Sequence, residues 1–157
     1  MQIEMRGIDK SFGGNAVLKS AGFLLDHGEI HALMGENGAG KSTLMKILTG
    51  VYTKDAGTVI VDGQEVCYKN AQEAERAGIV FIHQELNVLF DLTVEENMFL
   101  GKEIKNRFGV CNKKEMQKQV RAILDRLGVK IDPNQKMSEL SVGQQQMIEI
   151  AKALMVD

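Results

Sequence analysis

Long apolar runs, a surplus of positive charge, clustered cysteines and proline-rich stretches are all missing from this sequence, and each absence removes a class of protein. No apolar stretch approaches the ~20 residues of a membrane-spanning helix. Residues 1–10 alternate charged and apolar side chains, unlike the apolar centre of a secretory signal. The chain therefore reads as cytosolic. Formal net charge is −2, so no overall basic field draws it to nucleic acid. The two cysteines, Cys67 and Cys111, lie far apart and form no Cys-x-x-Cys pair, which fits reduced thiols rather than a bridge or a zinc site. His27, His31 and His83 are scattered and show no metal-ligand spacing. One proline against sixteen glycines argues against long disordered linkers, and no internal repeat or low-complexity tract is present. What remains is 157 residues, 44% hydrophobic and 25% charged. That is the size and mixture of one globular domain with a real core.

Hydrophobic periodicity divides the chain into a mixed α/β part and a helical part. Residues 1–8 and 21–25 read as strands around a loop, 10–16, with Gly13-Gly14-Asn15 at its turn. Residues 29–34 form a short apolar run that ends at Gly35. Residues 43–49 are helical, with Leu44, Ile47 and Leu48 on one face and Gly50 closing the segment. Residues 58–61 are a β-branched strand, and Asp62-Gly63 is a hairpin turn into residues 64–68. A short helix over 70–77 ends at Gly78, and residues 79–83 are apolar enough for a buried strand. Helices then dominate. Thr93 and Glu96 form a capping box ahead of residues 94–100. Residues 113–127 carry Met116, Val120, Ile123, Leu124 and Leu127 on one stripe, with Gly128 as terminator. Its charged start is a solvated face. Ser141 and Gln144 make a second capping box, opening a helix whose apolar face reads as Met147, Ile150, Ala151, Leu154 and Met155. An α/β fold follows: an antiparallel β part, a core sheet and a helical insert.

Gly35-Glu36-Asn37-Gly38-Ala39-Gly40-Lys41-Ser42 matches Gly-x-x-x-x-Gly-Lys-Ser/Thr, with the apolar run 29–34 read as a strand before it and an amphipathic helix after it. Each residue type has a chemical reason. The glycines let backbone wrap closely round a polyphosphate, and their N–H groups, with the positive end of the Thr43 helix, supply donors to it. Lys41 is placed to reach the β- and γ-phosphates, and the Ser42 hydroxyl to ligate Mg²⁺. ATP and Mg²⁺ are the implied ligands. Val59-Ile60-Val61-Asp62 superficially offers a second Mg²⁺ carboxylate, but Gly63 follows and Asp-Gly is a turn. It is not read as a metal site.

Two later segments narrow the choice among phosphate-loop enzymes. Gln84 follows the apolar run 79–83, where its amide is placed to meet a metal and an attacking water. Leu140-Ser141-Val142-Gly143-Gln144-Gln145-Gln146 then opens a helix. With Gly35–Ser42, these resemble the ABC ATPase family in its phosphate loop, its Q-loop glutamine and its LSGGQ-type signature, in that order. The resemblance runs from about Gln2 to the last residue. It extends to the first nucleotide-binding domain of ribose/galactose-type sugar importers, on Gly35 to Thr43, His83-Gln84-Glu85-Leu86 and Ser141 to Gln146. Val142 departs from the second glycine of LSGGQ but suits that subgroup. Phe12 resembles the aromatic that stacks on adenine. The signature also has a physical rationale: Ser141 at the N-cap and Gly143 just inside leave free N–H groups and little bulk, a platform for a γ-phosphate held by another domain. An ordinary capping box explains Ser141 and Gln144 equally well.

The resemblance implies a P-loop NTPase core of ABC type over residues 1–85, a helical insert over 86–140 and a signature helix over 141–157. It implies catalytic contributions from Lys41 and Gln84, Mg²⁺ at Ser42 and Gln84, and nucleotide contacts from Phe12, Gly35 to Thr43 and Gln84. Ser141, Val142, Gly143 and Gln144 are expected to face the ATP of a second nucleotide-binding domain. Membrane permease subunits and, through them, a sugar-binding protein are the implied partners, on the cytoplasmic side of the membrane, with no nucleic acid. In this family an apolar strand ending in Asp-Glu follows the signature helix, and the chain ends at Asp157 before any such strand. The expectation is ATP binding with poor hydrolysis, and self-association through uncovered edges. Two rival readings remain: an ABC ATPase acting on DNA or ribosomes, which salt-dependent DNA binding would reveal, and a small P-loop kinase, which phosphoryl transfer to a small molecule would reveal.

Overall fold

A computed structural model describes residues 1–156; Asp157, the last residue of the expected signature segment, lies outside the described residues. The chain forms two compact units, Met1–Phe81 and Ile82–Asp157.

The first unit is built on an antiparallel sheet. Strands β1 (Ile3–Phe12), β2 (Asn15–Leu25), β3 (Ala56–Val61) and β4 (Gln64–Val66) lie in the order β2-β1-β3-β4. The loop expected over residues 10–16 is instead a two-residue turn. Gly13 and Gly14 both take positive φ, +55° and +84°, the twist that lets strands continue straight into a hairpin. Pairing therefore runs from Ile3↔Leu25 to Phe12↔Asn15. The Asp62-Gly63 turn forms as its sequence requires, pairing Val61 with Gln64. Helix α1 (Lys41–Leu48) turns Leu44, Ile47 and Leu48 inward. They join Met5, Ile8, Leu18, Val59, Ala74 of α2 (Ala71–Arg76) and Ile79 in one apolar cluster. Each buried Leu, Ile, Val or Met side chain contributes ~1.5–3 kcal/mol, so this cluster fixes α1 against the sheet.

Two expected core strands do not form. Residues 29–34 and 79–83 have no strand partner among the described residues. Ile30 is fully exposed and Met34 is 88% exposed. Of the second segment only Ile79 is buried, while Val80 and Ile82 are exposed. An apolar run becomes a strand only when a neighbour takes its N–H and C=O groups, and the described sheet has no edge paired to either run.

The second unit is helical: α3 (Val94–Met98), α4 (Lys113–Arg126), a 3₁₀ turn at Met137–Glu139, and α5 (Val142–Ala153). Both expected capping boxes are present, at Thr93/Glu96 and Ser141/Gln144. Met116, Val120 and Leu124 of α4 pack with Val94, Met98, Met137, Leu140, Ile148 and Ala151. On α5 the buried residues are Gln145, Ile148 and Ala151; of the expected face Ala151 is buried, Met155 packs partly buried against the cluster, and Leu154 is exposed. The Gln145 amide donates to Met137 O and Leu140 O, both at 3.0 Å. The two carbonyls satisfy the buried amide, which lets the helix turn a polar residue inward.

Candidate phosphate-binding site

The turn between residue 34 and α1 folds as a shallow cradle. Glu36 O accepts from Ala39 N–H at 3.2 Å, tightening the loop, while Gly38 and Gly40 take φ of +87° and +84°. Gly40 is the N-cap of α1 in left-handed geometry, and its carbonyl accepts from Leu44 N–H at 2.9 Å. It is also buried against β2. A Cβ there would lie 2.6 Å from Leu18 Cδ2 and 3.1 Å from Val17 O, so the site requires glycine twice over. Among the described residues the N–H groups of Asn37, Gly38 and Gly40 take no protein acceptor. Residues 35–39 and Ser42 are exposed.

Lys41 reaches back across the loop. Its Nζ donates to Gly35 O at 2.7 Å and Glu36 O at 2.8 Å, which holds the ammonium over the cradle. Unpaired N–H donors, the positive end of an eight-residue helix and an ammonium lie together on one exposed loop. Such a donor set fits a polyphosphate anion. Ser42 stands beside Lys41 with an exposed side chain, and Thr43 is half-buried on the next position of α1.

Phe12 is the last residue of β1, beside the Gly13-Gly14 turn, and is 41% exposed. Its ring meets Tyr52 with centroids 5.2 Å apart and planes at 67°, and Lys10 Nζ lies 5.3 Å from its centroid. Asp55 anchors Lys10 at 2.8 Å and accepts Ser11 N–H at 2.7 Å. The Lys10 and Ser11 hydrogen bonds hold the Asp55 carboxyl below its usual range. Neither Tyr52 nor Asp55 was picked out from the sequence. The only available signal for Tyr52 was an aromatic shortly after the helix-closing Gly50, and its partner Phe12 is forty residues upstream.

Gln84 belongs to the second unit and sits exposed in a bend, not at a strand end as expected. Ser141, Val142, Gly143 and Gln144, also in the second unit, open α5 with all four exposed, Val142 at 62%. Ser141 Oγ accepts Gln144 N–H at 3.4 Å, and Gln144 Oε1 accepts Ser141 N–H at 2.9 Å. No Cβ contact lies within 4 Å of Gly143, so the start of this helix is open. Among the described residues no three His, Cys, Asp or Glu side chains group to hold a metal, and no helix is long and apolar enough to cross a membrane.

A nucleotide-type phosphate loop on an α/β scaffold that carries an antiparallel sheet and a helical unit defines the class, and the chain belongs to the ABC transporter family, whose model matches residues 18–157. Among curated proteins it is 59% identical over its full length to the ribose import ATP-binding protein RbsA of Bacillus cereus (strain ZK / E33L), covering 32% of that protein. It is 55% identical over its full length to RbsA of Lactococcus lactis subsp. lactis (strain IL1403), again covering 32%. The chain thus spans about a third of the length of these relatives. Among solved structures it resembles a nucleotide-free ATP-binding cassette from an ABC transporter, with a TM-score of 0.83 at 30% identity, covering 99% of this chain and 66% of the other. It also resembles the ADP conformation of MJ1267, an ATP-binding cassette of an ABC transporter, with a TM-score of 0.84 at 28% identity and coverage of 99% and 65%.

Proposed function

We propose that this chain is the ATP-binding part of an ABC importer that couples ATP binding and hydrolysis to uptake of a monosaccharide such as ribose. The observation that carries the reading is the cradle itself: free N–H groups at residues 37, 38 and 40 under the Lys41 ammonium. In this reading the N–H groups of Gly35 to Thr43 take the phosphate oxygens, Lys41 neutralises the β- and γ-phosphates, and Phe12 stacks on adenine. Ser42, with Gln84, would hold Mg²⁺, which supplies positive charge to the phosphates when bound. Gln84 orients the attacking water, and the open start of α5, from Ser141 to Gln144, offers its N–H groups to the nucleotide of a second nucleotide-binding domain.

Ribose as cargo is supported by the names of the curated relatives. Membrane permease subunits and a sugar-binding protein complete the proposed assembly at the cytoplasmic face of the membrane. The 157-residue chain is expected to bind ATP.

Calorimetric titration of MgATP into the chain tests the reading, with Lys41→Ala as control. Binding that the substitution abolishes is the expected result. A folded chain, by circular dichroism, that takes up no MgATP would overturn it. Ribose uptake by vesicles carrying the permease and the full-length ATPase, lost with Lys41→Ala, tests the transport assignment separately.

A further inference from the structure

Resting on the reading of Phe12 as the base-stacking residue, we propose that Tyr52 is a positioning residue of the nucleotide site, setting the angle at which Phe12 meets the base. Phe12 stands at the tip of a hairpin, where a half-exposed ring has few neighbours to choose its rotamer. The two groups found against it are the Tyr52 ring, centroids 5.2 Å apart and planes at 67°, and Lys10 Nζ at 5.3 Å. Edge-to-face geometry is the arrangement in which two aromatic quadrupoles attract, and it has a preferred angle.

Tyr52 is itself held by the phosphate-loop helix. Its N–H donates to Lys46 O at 3.0 Å, as that of Val51 does at 2.9 Å, and Lys46 Nζ lies 5.2 Å from its ring centroid. Lys46 is on α1, whose first residue is Lys41. A continuous path therefore runs from the helix that carries the cradle, through Lys46 and Tyr52, to the Phe12 ring. The base platform and the phosphate cradle are tied to one rigid element, which preorganises them for a ligand with both a base and a polyphosphate. An anion with no base has no use for the path.

The test compares MgATP with magnesium tripolyphosphate, titrated calorimetrically into the 157-residue chain. Tyr52→Leu, which keeps apolar packing and removes the ring, is expected to weaken MgATP about two- to tenfold, the range for losing one aromatic pair. Tripolyphosphate affinity stays unchanged, and Tyr52→Phe restores MgATP binding. Equal losses for both ligands, or no loss for MgATP, overturn the proposal. Phe12→Ala separates it from the reading beneath it. If Phe12→Ala leaves MgATP affinity intact, the base site itself fails; if only Tyr52→Leu is silent, the positioning role fails alone. Should Tyr52→Leu not fold, tyrosine fluorescence decides. The chain has two tyrosines and no tryptophan, so in Tyr68→Phe the emission reports Tyr52. It is expected to change with MgATP and not with tripolyphosphate, and an emission unmoved by bound MgATP overturns the proposal.

Discussion

Gly40 carries two independent constraints at one position. Its φ of +84° belongs to the left-handed region, and its missing Cβ makes room for Leu18 and the Val17 carbonyl. Alanine must meet both at once. Gly40→Ala is expected to destabilise the chain by about 1–3 kcal/mol, read from urea unfolding, and to weaken MgATP binding because the last turn of the cradle shifts. The need for glycine was legible in the Gly-Lys-Ser spacing. That Leu18 is the neighbour enforcing it was not, because the contact joins residues twenty-two positions apart.

Elements whose signals are local were readable in the sequence, and elements whose signals are distant were not. The Asp62-Gly63 turn, the α1 face and both capping boxes depend on residues within one turn of each other, and all are present. The β1–β2 hairpin was read too short because its paired glycines looked like part of a loop. The α5 stripe was misplaced because Gln145 reads as a surface residue until the Met137 and Leu140 carbonyls are brought to it. The α3 box makes a pH prediction. The Glu96 carboxyl is held below its usual value by hydrogen bonds from the Thr93 N–H and then the Thr93 hydroxyl. A carboxyl whose folded pKa is depressed contributes stability above its unfolded pKa, and loses it as pH falls through the folded one. Thr93→Ala, which removes the hydroxyl's share of that effect, is therefore expected to raise the Glu96 pKa toward the ordinary carboxylate range, followed by NMR titration. Its destabilising effect, about 1 kcal/mol at neutral pH, shrinks below the ordinary carboxylate range.

On the scale of the whole chain, an apolar cluster forms in each unit among the described residues, and the apolar run 29–34 is among the segments left in the open. Ile30, Leu33 and Met34 are exposed on a run with no strand partner among the described residues. Hydrophobicity tells that a segment seeks cover but not what provides it. Uncovered apolar backbone is a template for association. Light scattering is expected to give a mass that rises with concentration, and the double variant Ile30→Lys, Met34→Lys to lower it. A clean monomer across concentrations would remove the idea.

The Lys41 ammonium rests on Gly35 O and Glu36 O, so its charge is already shared with two neutral carbonyls before any ligand arrives. A newcomer must displace two neutral carbonyls. A dense multiple negative charge does so readily, whereas chloride, singly charged and well hydrated, gains little from the exchange. On that argument the loop is expected to favour anions of high charge density before any base is recognised.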